Sequence, residues 1–225
     1  MQAAGGPLIV EGDGSVLLDI RHPDAEAARE SLARFAELVK RPGDLHTYRI
    51  TPLSVWNAAA SGLTADGMTD DLIAFSRYDV PAGLVERIGT WAGRYGKITL
   101  KADGEALALA ADGDIAGELE GLGLLPGGGE QAPDGRVRWR VPHERRGDLK
   151  RELTRQGYPV IDLAGYRRGG YLDVALRSVT AAGEPFRLRD YQERAVDLFC
   201  REDAGSGGSG VIVLPCGAGK TVVGI

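Results

Sequence analysis

Residues 210–221 read Gly-Val-Ile-Val-Leu-Pro-Cys-Gly-Ala-Gly-Lys-Thr, and this stretch decides how the last part of the chain is interpreted. Four β-prone apolar residues followed by proline and glycines predict a buried parallel strand that runs into a tight turn. Gly217 and Gly219 can adopt backbone angles that a side chain disfavours, so that successive N–H groups can surround an anion. Lys220 supplies a positive charge for β- and γ-phosphates, and the Thr221 hydroxyl can bind Mg²⁺. A helix that begins at Thr221 would point its positive end at the same phosphates.

A glycine-rich surface turn is the alternative interpretation of this stretch, because Leu214 stands where a strict P-loop has its first glycine. The preceding apolar run and the paired glycines favour nucleotide binding, since a P-loop requires a strand before it and a helix after it. The predicted ATP-phosphate site comprises Pro215, Cys216, Gly217, Ala218, Gly219, Lys220 and Thr221, of which Lys220 and Thr221 are the candidate catalytic residues and Thr221 the metal ligand. The sequence stops at Ile225, four residues later, and we expect it to be the front portion of a longer protein.

The composition is that of an ordinary globular protein with room for two or three small domains in 225 residues. Cys200 and Cys216 lack paired spacing, which argues against a disulfide framework or a zinc site and favours a reducing compartment. The first residues carry no signal peptide, and no apolar run approaches the length that spans a membrane. The sequence therefore predicts a cytoplasmic protein without a membrane partner.

The net charge of −5 conceals a strong asymmetry along the chain. Residues 1–135 hold 11 Lys+Arg against 21 Asp+Glu, residues 136–155 hold 8 against 3, and residues 156–225 hold 8 of each. A polyanionic partner should therefore contact the middle segment and avoid the first.

The acidic first part, residues 1–112, is predicted to form one domain. It begins with a hairpin of residues 8–10 and 16–20, followed by an amphipathic helix over residues 24–40 with Phe35 and Val39 on its apolar face. Three short helices follow, with starts predicted at Thr51, Thr64 and Pro81, and then a second hairpin over residues 98–109. Three helices and a hairpin predict a winged-helix-like unit, whose acidic charge favours contact with a protein partner, or packing against its own chain, over contact with DNA.

The basic middle part, residues 113–170, is predicted to be a small α+β module. Residues 136–141 alternate, so that Val137, Trp139 and Val141 face a core while arginines line the other face, and a basic helix over residues 143–156 and a strand over residues 158–163 follow. The predicted DNA-binding residues are Arg136, Arg138, Arg140, Arg145, Arg146, Lys150 and Arg151. The alternative is a solvated face that is partly neutralised by Glu144, Asp148 and Glu152.

Residues 171–184 are predicted to be a linker with a short strand over residues 171–176, and residues 185–225 to begin a further domain. An amphipathic helix that starts near Phe186 places Gln192 where it can fold back over the phosphate loop. A glutamine can donate to and accept from the adenine edge at once, so Gln192 is predicted to read the base, although a lone helical glutamine is usually a surface residue.

Leu-Arg-Asp-Tyr-Gln at residues 188–192, together with Leu-Pro-Cys-Gly-Ala-Gly-Lys-Thr at residues 214–221, resembles the first two nucleotide motifs of the XPB family of superfamily 2 DNA helicases, in its bacterial form. Residues 46–51 with 95–98 look like the N-terminal domain of that family, and residues 158–161 with the preceding basic helix are similar to its damage-recognition module. The resemblance implies an α+β N-terminal region followed by the start of a RecA-like α/β domain. It also implies an ATP- and Mg²⁺-dependent 3′–5′ helicase or translocase that acts on duplex, forked or damaged DNA in repair.

The sequence departs from that family in having no Asp-Glu-x-His motif and no second RecA-like lobe. Because hydrolysis needs those groups, we expect this chain alone to lack ATPase activity. Two other readings stay open: a stand-alone DNA- or protein-binding module with an inert loop, and another P-loop enzyme such as a nucleotide kinase. The kinase is disfavoured because roughly two hundred residues precede the loop.

Overall fold

The computed structural model describes residues 5–125, 128–165, 175–180, 182–200 and 211–224. They fall into two compact units, one up to Ala164 and one from Gly165. The first unit contains two sheets with a hydrophobic core against each, and the chain is therefore mixed α and β. Among the helices described, none combines the length and the apolar character that crossing a membrane requires.

The first sheet is antiparallel and supports the first core. Its strands are β1 (Leu8–Val10), β2 (Ser15–Asp19), β3 (Glu37–Lys40) and β4 (Leu45–Arg49), in the order β1-β2-β4-β3. The predicted hairpin is confirmed, since Leu8 of β1 pairs with Leu18 of β2. The helices of this half are α1 (Ala25–Leu32), α2 (Pro52–Ala60), α3 (Ala65–Phe75) and α4 (Ala82–Arg94).

The predicted starts of the three short helices are confirmed. The Thr51 hydroxyl accepts a hydrogen bond from the Ser54 N–H, and the Ser54 hydroxyl accepts one from the Thr51 N–H, which makes a capping box before α2. The Thr64 hydroxyl accepts from the Gly67 N–H at the start of α3. Each cap satisfies N–H groups that have no partner inside the first helical turn.

The single helix predicted over residues 24–40 is wrong in its second half. Helix α1 ends at Leu32, and residues 37–40 form β3, in which Leu38 lies opposite Tyr48 of β4. Phe35 is buried as predicted, but Val39 is 58% exposed. The pairing with β4 gives this segment the hydrogen bonds that a continued helix would have supplied, so tertiary context outweighs the helical spacing of its apolar residues.

The second sheet supports the second core. Its strands are β5 (Ile98–Asp103), β6 (Ala106–Ala111), β7 (Glu130–Gln131), β8 (Val137–Val141) and β9 (Val160–Asp162), in the order β7-β8-β6-β5-β9, with β9 parallel to β5. The helices α5 (Gly113–Gly121) and α6 (Arg146–Arg155) belong to this half, and a 3₁₀ turn over His143–Arg145 precedes α6. The alternation predicted for β8 is confirmed, because Val137, Trp139 and Val141 are buried while Arg138 and Arg140 are exposed.

The second hairpin does not complete a winged-helix-like unit. Its apolar residues, such as Leu100 and Leu109, share a core with Leu149 and Leu153 of α6. The three short helices pack instead in the first core, which contains no residue of the hairpin. The hairpin therefore packs with the basic module, because its partner strands β8 and β9 come from that part of the chain.

Arg94, in the last turn of α4, joins that helix to the second half of this unit. Its guanidinium lies 4.2 Å from the centroid of the Tyr158 ring and donates to the Gly157 carbonyl at 3.2 Å. The Tyr158 hydroxyl donates to Glu118 at 2.6 Å. Burial, together with this hydrogen bond, raises the pKa of Tyr158 above its usual value.

The second unit contains α7 (Asp190–Cys200) and α8 (Lys220–Val223). The predicted strand over residues 211–214 is wrong: these residues form no strand, and Val211 and Val213 are 90% and 86% exposed. A strand requires a hydrogen-bonded neighbour, and no strand among the described residues pairs with this segment. Helix α7 begins at Asp190, not near Phe186. Most of the short strand predicted over residues 171–176 lies outside the described residues.

Candidate nucleotide site and basic surface

The phosphate loop adopts the backbone conformation that its glycines predict. Gly217 and Gly219 have φ values of +81° and +75°, in the left-handed region that side chains disfavour. Gly219 precedes α8, which starts at Lys220, one residue earlier than expected. A Cβ atom at Gly219 would also lie 2.6 Å from Nε2 of Gln192, so only glycine fits there without a shift of its neighbours.

Several backbone N–H groups of the loop are free to bind an anion. Within the part of the chain that the structure describes, the N–H groups of Gly217, Gly219, Lys220 and Thr221 have no acceptor. Successive unpaired N–H groups around left-handed glycines form a concave site for negative charge. The loop therefore fits the phosphates that the sequence predicts for it.

The two polar side chains of the loop differ in how they are engaged. The Lys220 ammonium donates to the carbonyl groups of Leu214 and Pro215 at 2.7 and 3.3 Å, so it points back at the start of its own loop. Thr221 is exposed, and its hydroxyl makes no hydrogen bond to a described residue. Lys220 must leave these carbonyls to reach a phosphate, whereas the Thr221 hydroxyl is available to a metal ion.

Helix α7 holds the loop through one carbonyl group. The Ala218 carbonyl accepts from the Tyr191 hydroxyl at 2.8 Å and from Nε2 of Gln192 at 3.0 Å. Oε1 of Gln192 accepts from the Arg189 N–H at 2.9 Å, and this glutamine is only 6% exposed. The structure thus brings Gln192 to the loop as expected, but gives it a contact with the loop backbone that the sequence analysis missed.

Tyr191 is a further residue of the site that sequence reasoning did not identify. The residue precedes Gln192 in the Leu-Arg-Asp-Tyr-Gln motif, and that adjacency is the only signal of its role in the sequence. Both side chains donate to the same carbonyl, so the start of α7 holds this one point of the loop with two hydrogen bonds.

The seven basic residues predicted to bind DNA do not form one surface. Arg136 is turned into the protein, where it donates to Thr99 Oγ1 at 2.9 Å, to the Lys97 carbonyl at 2.6 Å and to the Ala110 carbonyl at 3.1 Å. Its Nε also lies 3.1 Å from Asp112 Oδ1, an ion pair without hydrogen-bond geometry. Arg136 therefore ties neighbouring strands together and is not an accessible DNA contact.

Two basic residues on α6 are held by a carboxylate that the sequence analysis overlooked. Arg146 donates to both oxygens of Asp162 at 2.9 Å, and the Lys150 ammonium donates to Oδ2 at 2.7 Å. Burial opposes ionisation of Asp162, whose side chain is 12% exposed, but these hydrogen bonds hold the pKa of its carboxyl below the usual value. Asp162 lies on β9 and is distant in sequence, so no helical spacing pointed to it.

The remaining predicted DNA-binding residues are exposed. Arg151 pairs with Asp148 on the same helix, as the alternative of a neutralised face expected. Arg138 pairs with Asp134 at 2.8 Å, with both side chains about half exposed. Arg140 and Arg145 form no ion pair with any described acid. No group of three or more His, Cys, Asp or Glu side chains that could bind a metal occurs in the described ranges.

Comparison with known sequences gives one matching family model and a set of relatives. The family model, described as "Helicase conserved C-terminal domain", matches residues 8–119, which contain the first core and the second hairpin. It does not include the phosphate loop, which follows about a hundred residues later.

Two bacterial relatives are similar to nearly the whole chain. Proteins named "DNA 3'-5' helicase XPB" from Kineococcus radiotolerans and Mycobacterium tuberculosis are 42% and 44% identical to it, in each case over 97% of this chain and 38% of the relative. A protein of Antonospora locustae named "General transcription and DNA repair factor IIH helicase/translocase subunit XPB" is 34% identical over 97% of this chain and 32% of its own length. The chain thus spans less than two fifths of the curated relatives it matches. Along nearly its whole length the chain is thus similar to proteins that are named XPB helicases.

Proposed function

We propose that this chain is part of an ATP-dependent 3′–5′ DNA helicase or translocase of the XPB type that acts in DNA repair. In this proposal it carries the domains that precede the motor, followed by the motor's ATP-phosphate loop. The identity of 42–44% with two proteins named as such helicases supports the family, and the loop geometry supports the nucleotide site. Unwinding and hydrolysis are proposed for the whole protein, since this chain spans only 38% of each of the two bacterial relatives.

The observation that carries the proposal is the set of unpaired N–H groups of Gly217, Gly219, Lys220 and Thr221, next to a lysine and a free hydroxyl. These N–H groups would bind the β- and γ-phosphates of ATP, with Pro215, Cys216 and Ala218 forming the rest of the loop. Lys220 would exchange the carbonyls of Leu214 and Pro215 for phosphate oxygens. The Thr221 hydroxyl would bind Mg²⁺, which neutralises phosphate charge when bound.

Gln192 is proposed to contact adenine while it holds the loop. A glutamine amide has two N–H donors and two acceptor lone pairs. The structure uses one donor for Ala218 and one lone pair for Arg189. The second N–H and the second lone pair are the groups proposed to bind the adenine edge.

We propose that the chain by itself does not hydrolyse ATP. Thr221 is the only metal ligand that the loop supplies, and the sequence contains no Asp-Glu-x-His motif to complete the metal site and orient water. The expected behaviour is therefore nucleotide binding without turnover.

The test is calorimetric titration of the chain with Mg²⁺·ATP, pyrophosphate and adenosine. We expect ATP and pyrophosphate to bind, and Lys220→Ala to weaken both at least about tenfold, because a charge-assisted contact to phosphate is lost. Adenosine should bind far more weakly. Equal affinities for the wild type and Lys220→Ala would contradict the phosphate site, and release of phosphate from ATP would contradict the proposed inactivity.

The second candidate is a stand-alone DNA- or protein-binding module with an inert loop. It is favoured by the contacts of Lys220 with its own loop and by the exposure of Val211 and Val213. The same titration separates the two candidates, since an inert loop would bind neither ATP nor pyrophosphate.

The proposed partners are DNA in duplex, forked or damaged form at the basic module, and a protein at the acidic first part, in the cytoplasm. The excess of Asp and Glu over residues 1–135 supports a protein rather than a nucleic acid as the partner of that segment. The name of the Antonospora relative, a subunit of factor IIH, indicates that this relative assembles with other proteins.

A further inference from the structure

The second sheet has an outer face that does not contribute to its core. Along β5, β6 and β8, buried residues alternate with residues that point away from α5 and α6. Strand register aligns the outward residues in two rows across the sheet. One row is Lys101, Ala108 and Arg140, and the other is Thr99, Ala110 and Arg138.

These rows form a groove with basic walls, here called the alanine groove. Its floor is low at Ala108, while Arg136 reaches Thr99 and the Ala110 carbonyl in the other row. The side chains of Ala108 and Ala110 end at Cβ, whereas the lysine of β5 and the arginines of β8 are long. A cavity of about 780 Å³ lies over this face and is lined by both rows. Neighbouring strands are about 4.8 Å apart, so the two walls stand about 10 Å apart.

The cations of this groove are more available than those of α6. No acid in the described segments forms an ion pair with Lys101 or Arg140. The pair between Arg138 and Asp134 is half exposed on both sides and is therefore weak. By contrast, Arg146 and Lys150 share the largely buried Asp162, and a DNA phosphate would have to displace this carboxylate.

Three acids line the groove, and one of them, Asp134, is paired with Arg138. The other two lie at its margins. Asp103 is at the end of β5, next to the turn of the hairpin. Glu130 is on β7, opposite Arg138 and on the side of β8 away from the floor. Positive charge is thus concentrated between Lys101 and Arg140, where a polyanion would meet the fewest carboxylates.

The groove offers no aromatic surface for a base. Trp139 also lines the cavity but is only 6% exposed. The backbone of Gly129 packs against its ring, since a Cβ there would lie 2.6 Å from Cε2. Proteins that prefer single strands stack bases on exposed aromatic rings, and this groove lacks them.

From these observations we infer that the alanine groove binds the phosphodiester backbone of duplex DNA, with Lys101 and Arg140 as its main phosphate contacts and without base-specific contacts. The inference rests on the proposed DNA partner of the basic module and moves its contact surface from α6 to the outer face of the sheet. Lys101 was not among the predicted DNA-binding residues, although its alternation with Leu100 on β5 marks it as outward-facing.

Fluorescence anisotropy with duplex and single-stranded probes across a salt series tests the inference. The groove variant is Lys101→Gln with Arg140→Gln. The matched control is Arg41→Gln with Arg155→Gln, which removes the same charge from two exposed residues that form no ion pair with a described acid and lie outside the groove. A third variant, Ala108→Gln, fills the floor without changing charge.

We expect the groove variant to lower the magnitude of the slope of log K against log salt by about 2, and to weaken duplex binding at least about tenfold at moderate salt. The control should change the affinity by less than about threefold, and Ala108→Gln should weaken binding several-fold because it raises the floor. The duplex should bind more tightly than the single strand, because its charge density is higher.

Two outcomes would overturn the inference, and they separate it from the proposed function. Equal losses in the groove variant and the control would mean that net charge alone attracts DNA; the groove would then be rejected and the DNA partner kept. No duplex binding by the wild-type chain at low salt would reject both the groove and DNA contact by the basic module, while the ATP titration would still decide the nucleotide site.

Discussion

Two β-prone segments of this chain differ in structure, since one forms a buried strand and the other forms no strand. Residues 137–141 form β8, in which Val137, Trp139 and Val141 are buried and both neighbouring strands are hydrogen-bonded. Residues 211–214 are four consecutive apolar residues, yet they form no strand, and Val211 and Val213 are almost fully exposed. The difference shows that an apolar pattern provides a tendency to form a strand, while partner strands decide whether the strand forms.

The phosphate loop behaves differently from the segment that precedes it. Gly217 and Gly219 take their left-handed conformations, and Ala218 is held by Tyr191 and Gln192, although residues 211–214 lack strand partners. Local turn chemistry and two contacts from α7 are therefore enough to shape the loop. Stability and site geometry therefore come from separate parts of this molecule.

The largest effect is expected when an apolar side chain of β6, the neighbour of β8, is truncated and compared with a truncation in residues 211–214. Leu109→Ala should lower the free energy of unfolding by about 2–5 kcal/mol, because this leucine is fully buried in the second core. Val213→Ala should change it by less than about 0.5 kcal/mol, because an exposed side chain leaves no cavity. Urea denaturation measures both, and a loss of similar size in the two variants would mean that residues 211–214 are packed in solution.

The next largest effect is expected at Arg136 and Arg140, which the alternating pattern predicts to lie on the same face of one strand. Arg136→Ala should lower the free energy of unfolding by about 2–4 kcal/mol, because it removes a donor from each of the Lys97 and Ala110 carbonyls, leaves Lys97 only the Asp112 N–H, and takes the ion pair from Asp112. Arg140→Ala should change it by less than about 0.5 kcal/mol. Denaturation of the two variants side by side checks this, and equal stabilities would contradict the inward position of Arg136.

A smaller, pH-dependent effect is expected at Asp162. Asp162→Asn should cost about 1–2 kcal/mol near neutral pH, since the charge that holds Arg146 and Lys150 is removed. Because the native pKa of Asp162 lies below its unfolded value, this contribution is complete above the unfolded pKa of about 3.9 and is lost as pH falls through the native pKa. The stabilities of wild type and variant should therefore converge in acid. A difference that stays constant down to that range would contradict the role of the carboxylate charge.

The smallest effect is expected at the loop contact of α7. Tyr191→Phe removes one of two donors to the Ala218 carbonyl and should favour local opening of the loop by about 0.5–1 kcal/mol, without changing global stability. Hydrogen exchange at the amides of Val222 and Val223, which bond to the Gly219 carbonyl, reports this opening. Tyr78→Phe, at a tyrosine that is 68% exposed, is the control and should leave the exchange rates unchanged.

Features fixed by local sequence were the ones that could be predicted. The caps at Thr51 and Thr64, the first hairpin and the alternation of β8 all depend on residues a few positions apart. The glycines of the loop belong to the same class, because a positive φ is a local requirement.

The predictions that failed concern features that depend on partners distant in sequence. The strand β3 forms because β4 pairs with it, and the hairpin of β5 and β6 joins the second core because β8 and β9 flank it. Asp112 forms an ion pair with Arg136, 24 positions away in sequence, and Asp162 forms one with Arg146, 16 positions away. Because no sequence periodicity encodes such contacts, the predicted basic surface included residues that these carboxylates hold. The alanine groove was not identified for the same reason.

We propose that the loop after residue 216 forms a phosphate site although no strand precedes it. NMR titration of the backbone amides with Mg²⁺·ATP and with pyrophosphate tests it most directly. We expect large shifts at the amides of Gly217, Gly219, Lys220 and Thr221 with both ligands, small shifts with adenosine, and much smaller shifts at these amides in Lys220→Ala at the same ligand concentration. Unchanged loop amides in the wild type, or equal shifts in Lys220→Ala, would contradict it.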